Sequence, residues 1–138
     1  MNYQAYTIAL LEHVNIHQRQ LDSLSDNNKP LSQLERSAAE RSLQILVESA
    51  IGCAKHLNKK GELPERLDAY QAMQQVIEQY KITSAYLPQL KGAIGMRNAI
   101  VHDYLNLDWE IIQIVLNEQK YKRVVDFISE LCGYLNLD

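Results

Sequence analysis

The stretch Arg97-Asn98-Ala-Ile-Val-His102-Asp103-Tyr104 concentrates side chains that move protons and hold anions. An imidazole, with an ordinary pKa of about 6.5, exchanges protons near neutral pH, and a guanidinium offers a fixed fork of donors to anionic oxygens. Arg97 is also misplaced for a solvated side chain. Leu87, Leu90, Ile94 and Val101 recur at helical spacing, and Arg97 falls on their stripe, three residues after Ile94 and four before Val101. An unpaired guanidinium is expensive to bury, so Arg97 must meet a carboxylate, line a cleft or reach past the edge of the apolar face. Asn98 and His102 are four apart and share a helix face. Arg97 and His102 are separated by about 140° on a continuous helix. They converge only if the helix ends near residue 102 or a second copy of the chain contributes.

Other residue pairs are weaker candidates. His102-Asp103 is a dipeptide that metal phosphohydrolases use, with His56 and Asp126 as conceivable further ligands, but nothing stands at ligand spacing. His13 and His17 have the i, i+4 spacing of a metal pair, yet no acid between them supplies a base, and a polar edge on a helix is the simpler reading. No metal or cofactor is expected. Lys59-Lys60 and the run from Lys120 to Arg123 read as solvated helix ends or faces that could widen a basic rim around Arg97. Gly92, Gly95 and Ala99 form a strip without bulk on the helix of Arg97. Glycine inside a helix costs about 1 kcal/mol relative to alanine, so two of them imply close approach of another helix, from this chain or from a partner.

The elements that position these residues are helices. Tyr6, Leu10, His13, Val14, His17 and Leu21 make an amphipathic stripe over 3–24, and a turn follows at 23–30. Ser32-Gln-Leu-Glu35 is a capping box opening a second helix that runs to about Lys59. Leu43, Val47, Ala50, Ala54 and Leu57, widened by Leu46 and Cys53, make it the most buried one, and Gly61 and Pro64 end it. A third helix is expected from Glu65 to Tyr80, with Leu67, Tyr70, Gln74, Ile77 and Tyr80 on one side. The fourth carries Pro88 in its first turn, where a missing N–H costs little, and continues to about Val101. Asn106 and Asp108 cap a long last helix through Trp109, Ile112, Leu116, Val124, Phe127, Leu131 and Leu135. The expected fold is all-α: an antiparallel bundle of about five helices in one domain, 1–138.

Composition agrees. The 138 residues hold only 5 Gly and 3 Pro, and Thr only at Thr7 and Thr83, which leaves little material for strands and turns. At 46% hydrophobic and 22% charged, the chain is neither disordered nor dependent on a disulfide or metal staple. Cys53 and Cys132 sit in apolar helical patterns and read as buried thiols of a reducing, cytoplasmic compartment. No apolar run approaches the roughly 20 residues of a membrane span. Lys+Arg 14 against Asp+Glu 17 leaves a net charge of −3, so contact with nucleic acid requires a local basic cleft.

The motif Arg97-x4-His102-x-Tyr104 resembles that of the HEPN ribonuclease superfamily, and the helix order around it is similar to the HepT-like toxins paired with minimal nucleotidyltransferases. The resemblance covers about Leu34 to Leu135. It implies a homodimer whose two motifs face one cleft, and a metal-independent endoribonuclease. RNA brings its own nucleophile, the 2′-OH. Under the resemblance His102 is the general acid or base, Arg97 the electrostatic clamp on the phosphorane, Asn98 a polar positioner, and Tyr104 a support of the cleft. Tyr104 would also be where the cognate nucleotidyltransferase antitoxin attaches AMP. The alternative is a binding module without catalysis that acts with such a partner.

Overall fold

The computed structural model describes residues 2–25 and 29–137. These form α1 (Gln4–Ser25), α2 (Gln33–Lys60), α3 (Ala69–Gln79), α4 (Leu87–His102), α5 (Trp109–Asn117) and α6 (Tyr121–Leu135), with 3-10 turns at Ser84–Tyr86 and Tyr104–Asn106. Of the turn expected at 23–30, Ser25 closes α1, and residues 26–28 lie outside the described residues.

The capping box forms as expected. Glu35 N–H donates to Ser32 Oγ at 3.1 Å and Ser32 N–H to Glu35 Oε1 at 2.8 Å, which holds the Glu35 carboxyl below its ordinary pKa. From this start α2 runs through the centre of the bundle, packed against α1, α3, α4 and α6. All seven residues of its expected stripe are buried. Burial of each large apolar side chain contributes about 1.5–3 kcal/mol, which stabilises α2 far beyond its intrinsic propensity.

Cross-links fix how the other helices lie on α2. His17 meets Ser42, and the Tyr6 ring meets the His56 ring at 4.6 Å, so α1 runs antiparallel to α2. Tyr121 donates to Asp22, and Asn136 bonds Thr7, so α6 is also antiparallel to α1. It follows that α2 and α6 run the same way. Where they end together, the Lys60 ammonium donates to the carbonyls of Tyr134 (2.9 Å), Leu135 (3.0 Å) and Leu137. Those carbonyls have no partner within the helix, and a cation there also opposes the helix dipole. Lys60 is therefore a cap, and not the solvated helix end expected of it.

Three expectations are corrected. The last helix is two: α5 stops at Asn117 and α6 starts at Tyr121. Gln119 takes φ 52° between them, Lys120 N–H bonds the Val115 carbonyl at 3.0 Å and Gln119 N–H bonds Leu116 at 3.1 Å, a Schellman termination. It was hidden because the left-handed residue is not glycine. The third helix starts at Ala69, because Asp68 caps it by accepting from Gln71 N–H at 2.9 Å, and its buried face is Ala72, Met73, Val76 and Ile77. Leu67 is 85% exposed, and of the five residues expected on the stripe only Ile77 is buried. On α4, Leu90, Ile94 and Ile100 are buried while Val101 is 42% exposed. The stripe turns with the 3.6-residue period, so position 100 faces inward in place of 101.

Both thiols, Cys53 and Cys132, are free and buried. His13 is exposed, as a polar edge should be, but His17 is buried. Ser42 gives its one proton to Gln20 Oε1 at 2.7 Å, so His17 Nδ1–H donates to Ser42 Oγ across 2.9 Å. Among the described residues no helix is long and apolar enough to cross a membrane.

Two stability predictions follow. Lys81 ends α3 with φ 55°, and Ile82 N–H bonds the Ile77 carbonyl at 3.0 Å, another Schellman termination with a side chain in the left-handed region. Lys81→Gly should raise stability by about 0.5–1 kcal/mol in urea denaturation, since relief of the Cβ clash exceeds the added chain entropy. Burial first, then the charges of His13 and Arg41, holds the His17 imidazole below its ordinary pKa of 6.5. The unfolded chain then binds a proton that the folded chain refuses, so stability is full above about pH 6.5 and falls as pH drops towards the folded value. Denaturation midpoints measured from pH 7 to 5 should decline in the wild type, and His17→Gln should flatten that decline.

Candidate functional site

Pro88 stands in the first turn of α4, where its missing N–H is harmless, and the helix then holds a regular course to His102. Asp103 leaves it with φ −141° and ψ 47°. Buried Leu90, Ile94 and Ile100 anchor α4 against the bundle, and this orientation sets where Arg97 points.

Arg97 is half-buried, and its Nε is enclosed without a hydrogen-bond partner among the described residues. No described carboxylate forms an ion pair with it. Of the three fates open to Arg97 in the sequence, the structure selects the cleft. With Asn98 it lines an open groove of about 640 Å³ whose other walls include Glu48 and Lys55 of α2 and Asp68 and Tyr70 at the start of α3. The unpaired fork is thus available to an anionic oxygen that enters from solvent.

His102 and Tyr104 lie elsewhere. Both are exposed at the C-terminal end of α4, Tyr104 to 50%, in the 3-10 turn just past the helix, and neither lines the Arg97 groove. Because His102 is still helical, the angular separation from Arg97 persists within one chain. Asp103 is committed to the turn: its Oδ1 accepts from Asn106 Nδ2 at 2.8 Å and its carbonyl from Asn106 N–H at 3.0 Å. That leaves the His-Asp dipeptide without the geometry of a metal site. Among the described residues no three His, Cys, Asp or Glu side chains gather to hold an ion, and His56 is engaged with Tyr3 and Tyr6.

Gly92 and Gly95 on the small strip of α4 are exposed, Gly92 at the rim of a groove that it shares with Leu43, Ile111 and Tyr121. A Cβ added at Gly92 or at Gly95 would meet nothing within 4 Å, so no helix of this chain makes the close approach that two glycines invited. Val101 (42%), on the opposite face of α4, and Leu105 (97%), Ile111 (55%) and Ile114 (46%) further along the chain are also exposed. Of the basic run at 120–123, Arg123 is spent on Gln89 at 2.8 Å and on the Tyr86 ring at 4.5 Å, so it adds no free charge to a rim.

Sequence reasoning missed Glu48, Lys55, Asp68 and Tyr70 as walls of the groove. The one available signal was Gly52, one of four glycines inside helices, which lies in the same wall. A second groove, of about 500 Å³, continues from Gly52 and Lys55 along His56, Asn58 and Lys59.

Comparison with known proteins agrees with this architecture. The chain matches the family described as Ribonuclease HepT-like over residues 8–131, so α1, which the motif-based resemblance left out, is part of the shared pattern. It is 27% identical over 89 residues to the mRNA nuclease HepT of Shewanella oneidensis, an alignment covering 63% of this chain and 67% of that protein. Its fold is similar to a toxin–antitoxin crystal structure with AMP-PNP, with a TM-score of 0.81 and 19% identity over 91% of this chain and 96% of the other. A tri-AMPylated Shewanella oneidensis HEPN toxin in complex with an MNT antitoxin superposes with a TM-score of 0.78 and 20% identity over 90% and 96% of the two chains. At these identities the structural likeness establishes the fold, and the match spanning residues 8–131 establishes kinship: the chain belongs to the HepT-like ribonuclease family.

Proposed function

We propose that this protein is the toxin of a toxin–antitoxin pair, a metal-independent endoribonuclease that works as a homodimer with two copies of Arg97 and His102 at one groove. The observation that carries the reading is the half-buried Arg97 guanidinium, unpaired among the described residues and open to an anion. A guanidinium kept for packing would be paired; one kept for a phosphate need not be. Support also comes from the relative named an mRNA nuclease.

In the proposed reaction the RNA 2′-oxygen forms a bond to the adjacent phosphorus as the bond from phosphorus to the 5′-oxygen breaks. The 2′-OH proton leaves to a base and the departing 5′-oxygen receives one. His102 serves one of these transfers, and a second copy of His102 gives the groove an imidazole for the other. Arg97 holds the non-bridging oxygens as charge builds on the phosphorane. Asn98, on the same wall, orients the strand. A two-fold contact through Gly92 and Gly95 removes the angular separation of Arg97 and His102, because each comes from a different copy. It also covers Leu105 and its apolar neighbours, which a lone chain leaves in water.

The purified protein should cleave RNA in EDTA. His102→Ala and Arg97→Ala should each lower the rate by about 10²-fold to 10⁴-fold while the helical circular dichroism is unchanged. Gly95→Leu should weaken dimerisation, read by sedimentation, together with cleavage. Cleavage that requires a divalent metal, or a folded His102→Ala protein with wild-type rate, contradicts the mechanism.

The partner in this reading is a minimal nucleotidyltransferase antitoxin, supported by the AMPylated HEPN toxin among the structural relatives. Tyr104, exposed past the helix end, is the proposed acceptor. AMP there adds bulk and a negative phosphate that competes with RNA for Arg97. Incubation with the neighbouring nucleotidyltransferase, ATP and magnesium should yield AMP on Tyr104 by mass spectrometry, and Tyr104→Phe should escape neutralisation by modification. An adduct found only on another residue refutes the assignment.

A further inference from the structure

Two buried side-chain atoms lack a hydrogen-bond partner among the described residues, and the residues that carry them line two grooves that meet at Gly52 and Lys55. One is Arg97 Nε, a donor, in the groove described above. The other is Asn58 Oδ1, an acceptor, in the neighbouring groove between the last turns of α2 and the 63–66 segment. Asn58 is 3% exposed. Its Nδ2 donates to the Ala72 carbonyl at 3.1 Å, and a flipped carboxamide would set oxygen against oxygen, so Oδ1 is fixed as the free acceptor. Native proteins rarely leave such an atom unsatisfied, and a ligand N–H is one explanation.

Three further features of this groove belong to one kind of ligand. Lys55, Lys59 and Arg66 line it against a single carboxylate, Glu65, in a chain whose net charge is −3. The Arg97 groove, in contrast, balances two cations with Glu48 and Asp68. His56 places an aromatic ring in the wall, steadied by Tyr6 at 4.6 Å and Tyr3 at 5.7 Å. Gly52 stands inside a long helix although nothing in the chain requires it: an added Cβ would meet only the Tyr6 hydroxyl, at an ordinary 3.8 Å. A poor helix former at that point keeps the junction of the grooves open.

We propose that the Asn58 groove is a subsite for an unpaired nucleotide of the RNA strand, adjoining the nucleotide at Arg97. Its phosphate lies on Lys55 and Lys59, its base meets the His56 ring, and a base N–H donates to Asn58 Oδ1. A free phosphate would use the cations alone, whereas a nucleotide carries an anion, a flat ring and an N–H donor within one residue, at the spacing of this short groove. The subsite rests on the ribonuclease reading, and it makes the enzyme grip a strand beyond the bond it cuts.

The test is the affinity of the full-length protein for a short 2′-O-methylated, hence uncleavable, oligoribonucleotide, read by fluorescence anisotropy over a series of salt concentrations. Lys59→Gln should weaken binding by about threefold to tenfold and make the logarithmic salt slope shallower by about 0.7, the value of one lost phosphate contact on a single strand. Gly52→Leu should weaken binding by about tenfold or more with a thermal midpoint equal to or above that of the wild type, since leucine is the better helix former. Lys29→Gln, a charge change outside both grooves, should leave binding unchanged. If Lys59→Gln and Gly52→Leu bind as the wild type does while Arg97→Ala is weakened, the groove holds only water, and the inference falls while the ribonuclease reading stands. If the wild type neither binds the strand nor cleaves RNA, the ribonuclease reading falls and takes the subsite with it.

Discussion

Burial of α2 is the constraint on which the rest of this structure depends. α2 packs against α1, α3, α4 and α6 and leaves only the side that carries Arg41, Glu48 and Lys55 to solvent, so every polar group on its packed faces must find a partner inside the bundle. Ser42 finds His17, and Glu40 accepts from Trp109 Nε1 at 2.8 Å. Asn58 finds the Ala72 carbonyl, and Lys60 finds the end of α6. Each of these bonds also fixes a neighbouring helix in angle and register. The same side chains that make burial of α2 tolerable therefore set the positions of α1, α3, α5 and α6. Asn58 Oδ1 is an exception, and an exception inside so thoroughly paired a helix carries information about function.

Charge is distributed by the same logic. Several cations are consumed within the chain: Lys60 as a cap, Arg123 on Gln89 and Tyr86, and Arg36 over the Trp109 ring at 4.9 Å. What remains open near the candidate site is Arg97, Lys55 and Lys59, on two helices that pack together. A slightly acidic protein can in this way carry a local field that attracts an anion at short range. The Debye length of about 8 Å at physiological salt keeps distant acidic groups from cancelling it.

The end of α4 divides the chemistry. Arg97 and Asn98 look into a groove of their own chain, while His102 and Tyr104 face outward past the last anchored turn. A helix that stops five residues after the arginine cannot curl the histidine back into that groove. The uncovered glycines lie in the middle of α4 and the exposed Leu105 past its end, so a second copy laid along this helix, as proposed, would cover both.

Much of this was legible in residue order because it depends on local periodicity and local caps. The capping box at Ser32 and Glu35, the buried stripe of α2, Pro88 at the start of α4 and the anomaly of Arg97 all concern residues within one or two turns of each other. The break between α5 and α6 escaped, because Gln119 tolerates a left-handed conformation that only the packing of two helices makes worthwhile. His17 escaped as well, since whether a histidine is an edge or a cross-link depends on Ser42, twenty-five residues away. Glu48, Lys55, Asp68 and Tyr70 could not be assigned to a groove before the helices were assembled. By itself the sequence determined the helical class, the capped start and buried stripe of α2 and the presence of the motif from Arg97 to Tyr104, because those follow from spacing along the chain. Only the tertiary structure decided that Arg97 goes unpaired among the described residues, that its groove meets a second one at Gly52, and that His102 stands apart, because each depends on which distant side chains packing brings, or fails to bring, within hydrogen-bond reach.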